Sequence, residues 1–256
     1  MADLEGALRA RLDDGGRGFV PYVTGGLAGV DADLLRGLAG AGADAIEVGI
    51  PFSDPVMDGG VIQEASRRSL EAGTKVEDVL ALVAEADVDV PVAVMTYVNP
   101  VFRRGAEQFL RDAAAAGVAG VIVPDLPADE ADGLVEACRE AGLAPVLLAA
   151  PGAPPERLTA IASRSGGFVY CVATYGVTGE RDALSGTAAD LVGALRPLTD
   201  LPLLVGVGIT TPAQAAEACR FADGVIVGSA LVRHLLEGRA EEALTLARSF
   251  RASIPR

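Results

Sequence analysis

Residues 201–230 read LPLLVGVGITTPAQAAEACRFADGVIVGSA, and their internal order narrows the fold. Two apolar, β-branched runs, LPLLVGVG (201–208) and DGVIVGS (223–229), flank a stretch of helical composition at 212–220. Thr211 ahead of Pro212 has the form of a helix start, because proline at the first helical position gives up an amide that has no partner there. The two runs are continuously apolar rather than alternating. Parallel strands read this way when both faces are covered. The segment therefore predicts one strand–helix–strand crossover.

The same unit recurs outward in both directions. Further runs of this kind are GFVPYVT (18–24), ADAIEVGI (43–50), VPVAVMTY (90–97), VAGVIVPD (118–125), APVLLAA (144–150) and FVYCVA (168–173), eight in all. Between and after them lie Ala/Leu/Glu/Arg-rich stretches of helical period at 31–41, 61–86, 105–116, 128–141, 154–165, 187–198, 212–220 and 229–252. Asp31 is placed to cap the first of these. Eight strand–helix units in 256 residues match a (β/α)8 TIM barrel, read as a single domain over 1–256. A doubly wound open sheet is the competing arrangement. It normally carries a glycine-rich dinucleotide turn after its first strand, and TGGLAG (24–29) matches that pattern poorly. Neither a linker nor a low-complexity tract divides the chain.

Composition excludes several functions. The chain has 21 basic and 35 acidic side chains, a formal net charge of −14, which argues against nucleic acid and anionic membrane surfaces. The start, MADLEGALRARLDD, is acidic and amphipathic, and no apolar run reaches about 18 residues, so a cytoplasmic protein is expected. Cys138, Cys171 and Cys219 are widely spaced and suggest neither a disulfide framework nor a zinc site. The sequence holds one lysine, Lys75, in a polar stretch that reads as a helix start, and one histidine, His234, inside an apparent helix. Schiff-base chemistry, a multi-histidine metal site and a Ser-His-Asp triad are thus unsupported. Acid–base work falls to carboxylates, tyrosines or water.

Glu47 stands out first. It is a carboxylate inside the apolar run DAIEVGI, where burial is costly without partners and raises the pKa. Such a group is either satisfied at the sheet end by arginine or amides, or is a desolvated acid–base aimed into the barrel mouth. Asp54 and Asp58 follow in PFSDPVMDGG; loop aspartates commonly form turns or caps, and Asp58 precedes what resembles a helix start. Asp58 could nonetheless face a ligand opposite Glu47, splitting acid and base roles. Asp125 ends the run VIVPD. Tyr22, Tyr97 and Tyr170 end or lie near the ends of three runs, which suits a pocket for a flat apolar group with a polar handle. The turns GVGIT (206–210) and GSA (228–230) follow the last two runs, where barrels frequently hold phosphate on backbone amides and a helix N-terminus.

The motifs IEVGIPFSDPVMDGGVIQ, VMTYVNPVF, VIVPDLP, YGVTGERDAL, VGVGIT and DGVIVGSALV, in this order and spacing, resemble the tryptophan synthase α subunit from about Phe19 to about Leu236. The resemblance implies a (β/α)8 barrel and retro-aldol cleavage of indole-3-glycerol phosphate to indole and glyceraldehyde 3-phosphate, with no cofactor, metal or Schiff base. It implies Glu47 and Asp58 as catalytic, and Tyr22, Tyr97, Asp125 and Tyr170 in the substrate pocket. Gly179, Gly208, Gly228 and Ser229 fall on the phosphate contacts. The implied partner is a pyridoxal-phosphate β subunit in an α2β2 tetramer, which receives indole through a tunnel. The chain departs from the common pattern in three places: Gly60 follows Gly59 where proline is usual, Tyr22 replaces phenylalanine, and Ala173 replaces serine. A stand-alone indole-3-glycerol phosphate lyase is the alternative reading, followed by a phosphosugar isomerase and a non-catalytic regulatory subunit.

Overall fold

The computed structural model describes residues 3–173 and 181–255, with backbone only at 181–185. An N-terminal helix, α1 (Leu4–Asp13), precedes β1 (Gly18–Thr24), α2 (Ala32–Gly40) and β2 (Ile46–Gly49). Two helices, α3 (Gly60–Glu71) and α4 (Val76–Ala86), lead to β3 (Val92–Met95), and two more, α5 (Val98–Arg104) and α6 (Ala106–Ala115), to β4 (Val118–Ile122). Then come α7 (Asp132–Glu140), β5 (Ala144–Val146), β6 (Leu148–Ala149), α8 (Pro155–Arg164) and β7 (Val169–Val172). The chain finishes with α9 (Arg181–Leu195), β8 (Leu203–Gly206), α10 (Pro212–Ala218), β9 (Gly224–Val227), α11 (Ser229–Leu236) and α12 (Ala240–Ser253).

All strand pairs are parallel, in the order β5-β4-β3-β2-β1-β9-β8-β7-β6. β5 and β6 are one extended segment interrupted at Leu147. Its first half pairs with β4 and its second with β7, so the sheet closes into the expected TIM barrel. Two cores result from strand alternation. Small Ala45, Ala93 and Ala119 pack with large Phe168, Leu204 and Ile226 inside the barrel, and the opposite strand faces pack against the helices. This is why the strands read as unbroken apolar runs.

Leu4 and Leu8 of α1 belong to the interior cluster and are 2% and 1% exposed. The helix closes the barrel at the amino ends of the strands. Cβ atoms built at Gly120 and Gly167 would each lie under 3 Å from Leu4, so the glycines leave room for this plug.

The helix boundaries differ from the sequence expectation in several places: α1 was not among the expected helices, and α7 and α9 begin at Asp132 and Arg181 rather than at 128 and 187. The stretch 61–86 breaks at Gly73 (φ +89°) and 229–252 at Gly238 (φ +72°), where a left-handed residue turns the chain. The short α5 was not expected. Asp31 and Thr211 cap α2 and α10 as the sequence suggests, each accepting an amide from three residues on. Among the described residues no helix is long and apolar enough to cross a membrane.

Candidate active site

Parallel register places Tyr22 beside Glu47, and Thr24 beside Gly49. All four lie at the carboxyl end of the barrel, where barrel sites form. Glu47 is 1% exposed, and neither carboxyl oxygen has a hydrogen-bond partner among the described residues. No arginine or amide among the described residues satisfies it. Burial, reinforced by the negative field of Asp58, pushes its pKa up to about 8. The side chain therefore carries a proton at neutral pH and can deliver it.

Asp58 sits on the loop between β2 and α3. Its carboxylate does not cap α3; the N-cap is Gly59, with no side-chain bond. Instead Asp58 Oδ2 accepts the Tyr97 hydroxyl at 3.1 Å. Burial lifts its pKa to about 6, and the Tyr97 hydrogen bond works against that rise. Asp58 is thus ionised near pH 7 while Glu47 is not. Asp54, by contrast, is exposed and takes a hydrogen bond from its neighbour Ser53 at 2.6 Å.

The tyrosines line the same space. Tyr22, Tyr97 and Tyr170 are 8%, 4% and 5% exposed. Burial is the main force raising each phenol, helped by the fields of Asp58 and Glu47 at Tyr22 and Tyr170, and by Asp58 and Asp125 at Tyr97. All three remain protonated donors at working pH. Tyr22 Oη lies 3.3 Å from Thr24 Oγ1 and over the bare Cα of Gly49; Tyr170 Oη similarly faces Gly206. Phe52 stacks on Tyr97 with ring centroids 5.1 Å apart. Sequence reading missed Thr24, Gly49 and Phe52, and took Gly206 only as part of an anion-binding turn. The available signal was glycine inside a strand, which marks close approach.

Asp125 is half-buried past the end of β4, and its Oδ1 accepts the Val98 amide at 2.8 Å, fixing the start of α5. Across the mouth, β8 and β9 are neighbours, so their turns lie side by side. Val207 (φ +66°) and Gly208 (φ +94°) both adopt left-handed backbone, unusual for a β-branched residue. Neither amide has an intramolecular acceptor among the described residues. Gly228 follows β9 as the N-cap of α11, and Ser229 begins the helix. A Cβ on Gly228 would sit 3.3 Å from the Tyr22 ring, which ties this turn to the aromatic pocket. Gly179 lies outside the described residues. Lys75 is exposed at the start of α4, and His234 lies in the last turn of α11, the end directed away from the mouth. Burial pushes the Cys138 and Cys171 thiols up to about 12, and neither belongs to the site.

A family model described as tryptophan synthase alpha chain matches residues 8–253. The chain belongs to the tryptophan synthase alpha chain family. The tryptophan synthase alpha chain of Synechocystis is 48% identical over 250 residues, 95% of this chain and 93% of the relative. That of Rippkaea orientalis is 46% identical, covering 88% and 86%. Among solved structures, Mycobacterium tuberculosis tryptophan synthase superposes with a TM-score of 0.91 at 38% identity, covering both chains fully. The Legionella pneumophila tryptophan synthase subunit alpha gives 0.88 at 32% identity, over 99% and 98% of the two chains. Within this barrel, Glu47 and Asp58 lie close enough for the negative field of Asp58 to raise the Glu47 carboxyl, and the two differ in protonation near pH 7.

Proposed function

We propose that the protein cleaves indole-3-glycerol phosphate to indole and glyceraldehyde 3-phosphate, the lyase step expected of its tryptophan-biosynthetic family. The observation that carries this reading is Glu47: a fully buried carboxyl, unpartnered among the described residues and with its pKa raised to about 8, in a pocket of tyrosines.

In this mechanism Glu47 donates its proton to C3 of the indole, giving a cationic indolenine. The resulting carboxylate removes the proton from the C3′ hydroxyl of the glycerol chain. The C3–C3′ bond then breaks, its electrons return to the ring, and the hydroxyl carbon leaves as the aldehyde. One proton enters and one is recovered, so Glu47 ends as it began. Asp58 accepts the indole N–H and offsets the positive charge as it develops. Tyr22, Tyr97 and Tyr170 hold the ring, and Asp125 keeps α5 in place beside it. The amides at Gly208, Gly228 and Ser229, with Gly179, take the phosphate. No step calls for a metal or cofactor.

A β subunit is the proposed partner, in an α2β2 assembly. Val56 and Met57 on the Asp58 loop and Phe102 on α5 are 78%, 40% and 57% exposed, an apolar patch at the mouth that suits a docking surface. No observation favours the stand-alone alternative. A cytoplasmic location accords with this role.

The test is indole release from indole-3-glycerol phosphate by the chain alone and with a β subunit. Glu47→Gln should keep the barrel's circular dichroism and lose on the order of 10²–10⁴ in rate. Undiminished turnover in that variant sinks the reading.

A further inference from the structure

Tyr97 Oη makes two hydrogen bonds that point to different residues of one loop: it accepts the Met57 amide at 2.9 Å and donates to Asp58 Oδ2 at 3.1 Å. An amide can only donate and an ionised carboxylate can only accept, so a hydroxyl with one proton and free lone pairs satisfies both at once. The backbone of Tyr97 is fixed on either side. Thr96 N–H donates to Ile122 O at 3.0 Å, and Val98 N–H donates to Asp125 at 2.8 Å. Phe52, from the same loop as Asp58, stacks on the ring. The phenol is therefore a post anchored to β3 and β4, against which the loop is seated.

We propose that Tyr97 is a positioning residue for Asp58: one phenol oxygen sets both the seat of the loop and the aim of its carboxylate. This goes beyond a lining role for the ring, and it rests on the reading of Asp58 as the indole N–H acceptor. Loop closure and Asp58 ionisation are then coupled, because losing the hydroxyl releases the Met57 amide and removes the only hydrogen bond to the carboxylate among the described residues. The titratable groups facing Asp58 are Glu47 from β2, Tyr22 from β1, Tyr170 from β7 and Tyr97 itself, with Asp125 acting on Tyr97 from beyond β4. None is cationic, so no salt bridge within that set replaces the hydroxyl.

Tyr97→Phe keeps the ring and removes the oxygen. The acid limb of kcat/KM should move up by about one pH unit, and kcat should fall about tenfold while KM rises less than about threefold. In an Asp58→Asn background the same substitution should have no further effect on kcat. A raised KM with an unmoved limb, or fully additive losses in the double variant, overturns the proposal. An independent readout needs no turnover. In the ¹³C-aspartate-labelled chain, the Asp58 carboxyl signal, assigned by its loss in Asp58→Asn, should titrate higher in Tyr97→Phe than in the parent. An unchanged titration overturns the proposal even if the chain proves inactive, whereas activity retained in Asp58→Asn overturns only the role given to Asp58.

Discussion

The Tyr22 hydroxyl occupies the space that a side chain on Gly49 would fill. The two residues lie on adjacent strands, and the phenol lies over Gly49 and meets Thr24 of its own strand. Gly49→Ala therefore has to displace an aromatic ring in a closely packed mouth. Overpacking of this kind costs about 1–3 kcal/mol. Chemical denaturation should show that loss, and KM for indole-3-glycerol phosphate should rise because the ring lines the pocket. The double variant Gly49→Ala with Tyr22→Leu should recover most of the stability.

The pH dependence of turnover follows from two carboxyls whose environments differ. In the proposed mechanism Glu47 must be protonated to deliver its proton, and it loses that proton above about pH 8. In the same mechanism Asp58 must be ionised to meet the indole N–H, and it gains a proton below about pH 6. A bell-shaped kcat/KM profile is expected, with limbs near those values and a maximum between them. The two groups interact, so the limbs report the pair. A flat profile from pH 5 to 9 is incompatible with this assignment.

Stability should show the opposite face of the same burial. Between about pH 4.5 and 8 the unfolded chain releases the Glu47 proton while the folded chain keeps it. Folded protein then binds more protons, so its stability falls as pH rises through that window. Glu47→Gln removes this term. The amide is itself buried, and at pH 5 it is expected to be neutral or slightly costly. Its Tm relative to the parent should climb by roughly 5 °C between pH 5 and pH 8. A constant offset across that range would show that the carboxyl is not held protonated.

At the opposite end of the barrel, Leu8→Ala tests the plug. The side chain is 1% exposed in the interior cluster, and its truncation should cost about 2–5 kcal/mol. At temperatures where the variant stays folded, kcat should remain within about twofold of the parent, since α1 packs at the amino ends of the strands, opposite the carboxyl-end mouth. A selective loss of kcat without a stability change would contradict the separation of the two ends.

Glu47 was legible in the sequence because a charge in an apolar strand is a local anomaly, visible without neighbours. Asp58 was legible only as a candidate, since a cap on α3 and a ligand contact write the same letter. What separates them is Tyr97, 39 residues on. The unexpected α5 has the same origin: its start is fixed by Asp125, beyond the next helix and strand. The breaks after α3 and α11 turn on Gly73 and Gly238, which a helical period absorbs without complaint. The close approach of a phenol over Gly49 and Gly206 was overlooked because it depends on strand register, which brings the ring from the neighbouring strand over each. Local composition specified the barrel. Long-range pairing specified the mouth.

The leucine plug makes the barrel a cul-de-sac. With Leu4 and Leu8 packed into the amino end of the cylinder, the described residues close that end to freshly released indole and leave it the rim by which its precursor arrived. Any catalyst that intercepts the product before it diffuses away must therefore cover the rim itself, the side on which Val56, Met57 and Phe102 are exposed.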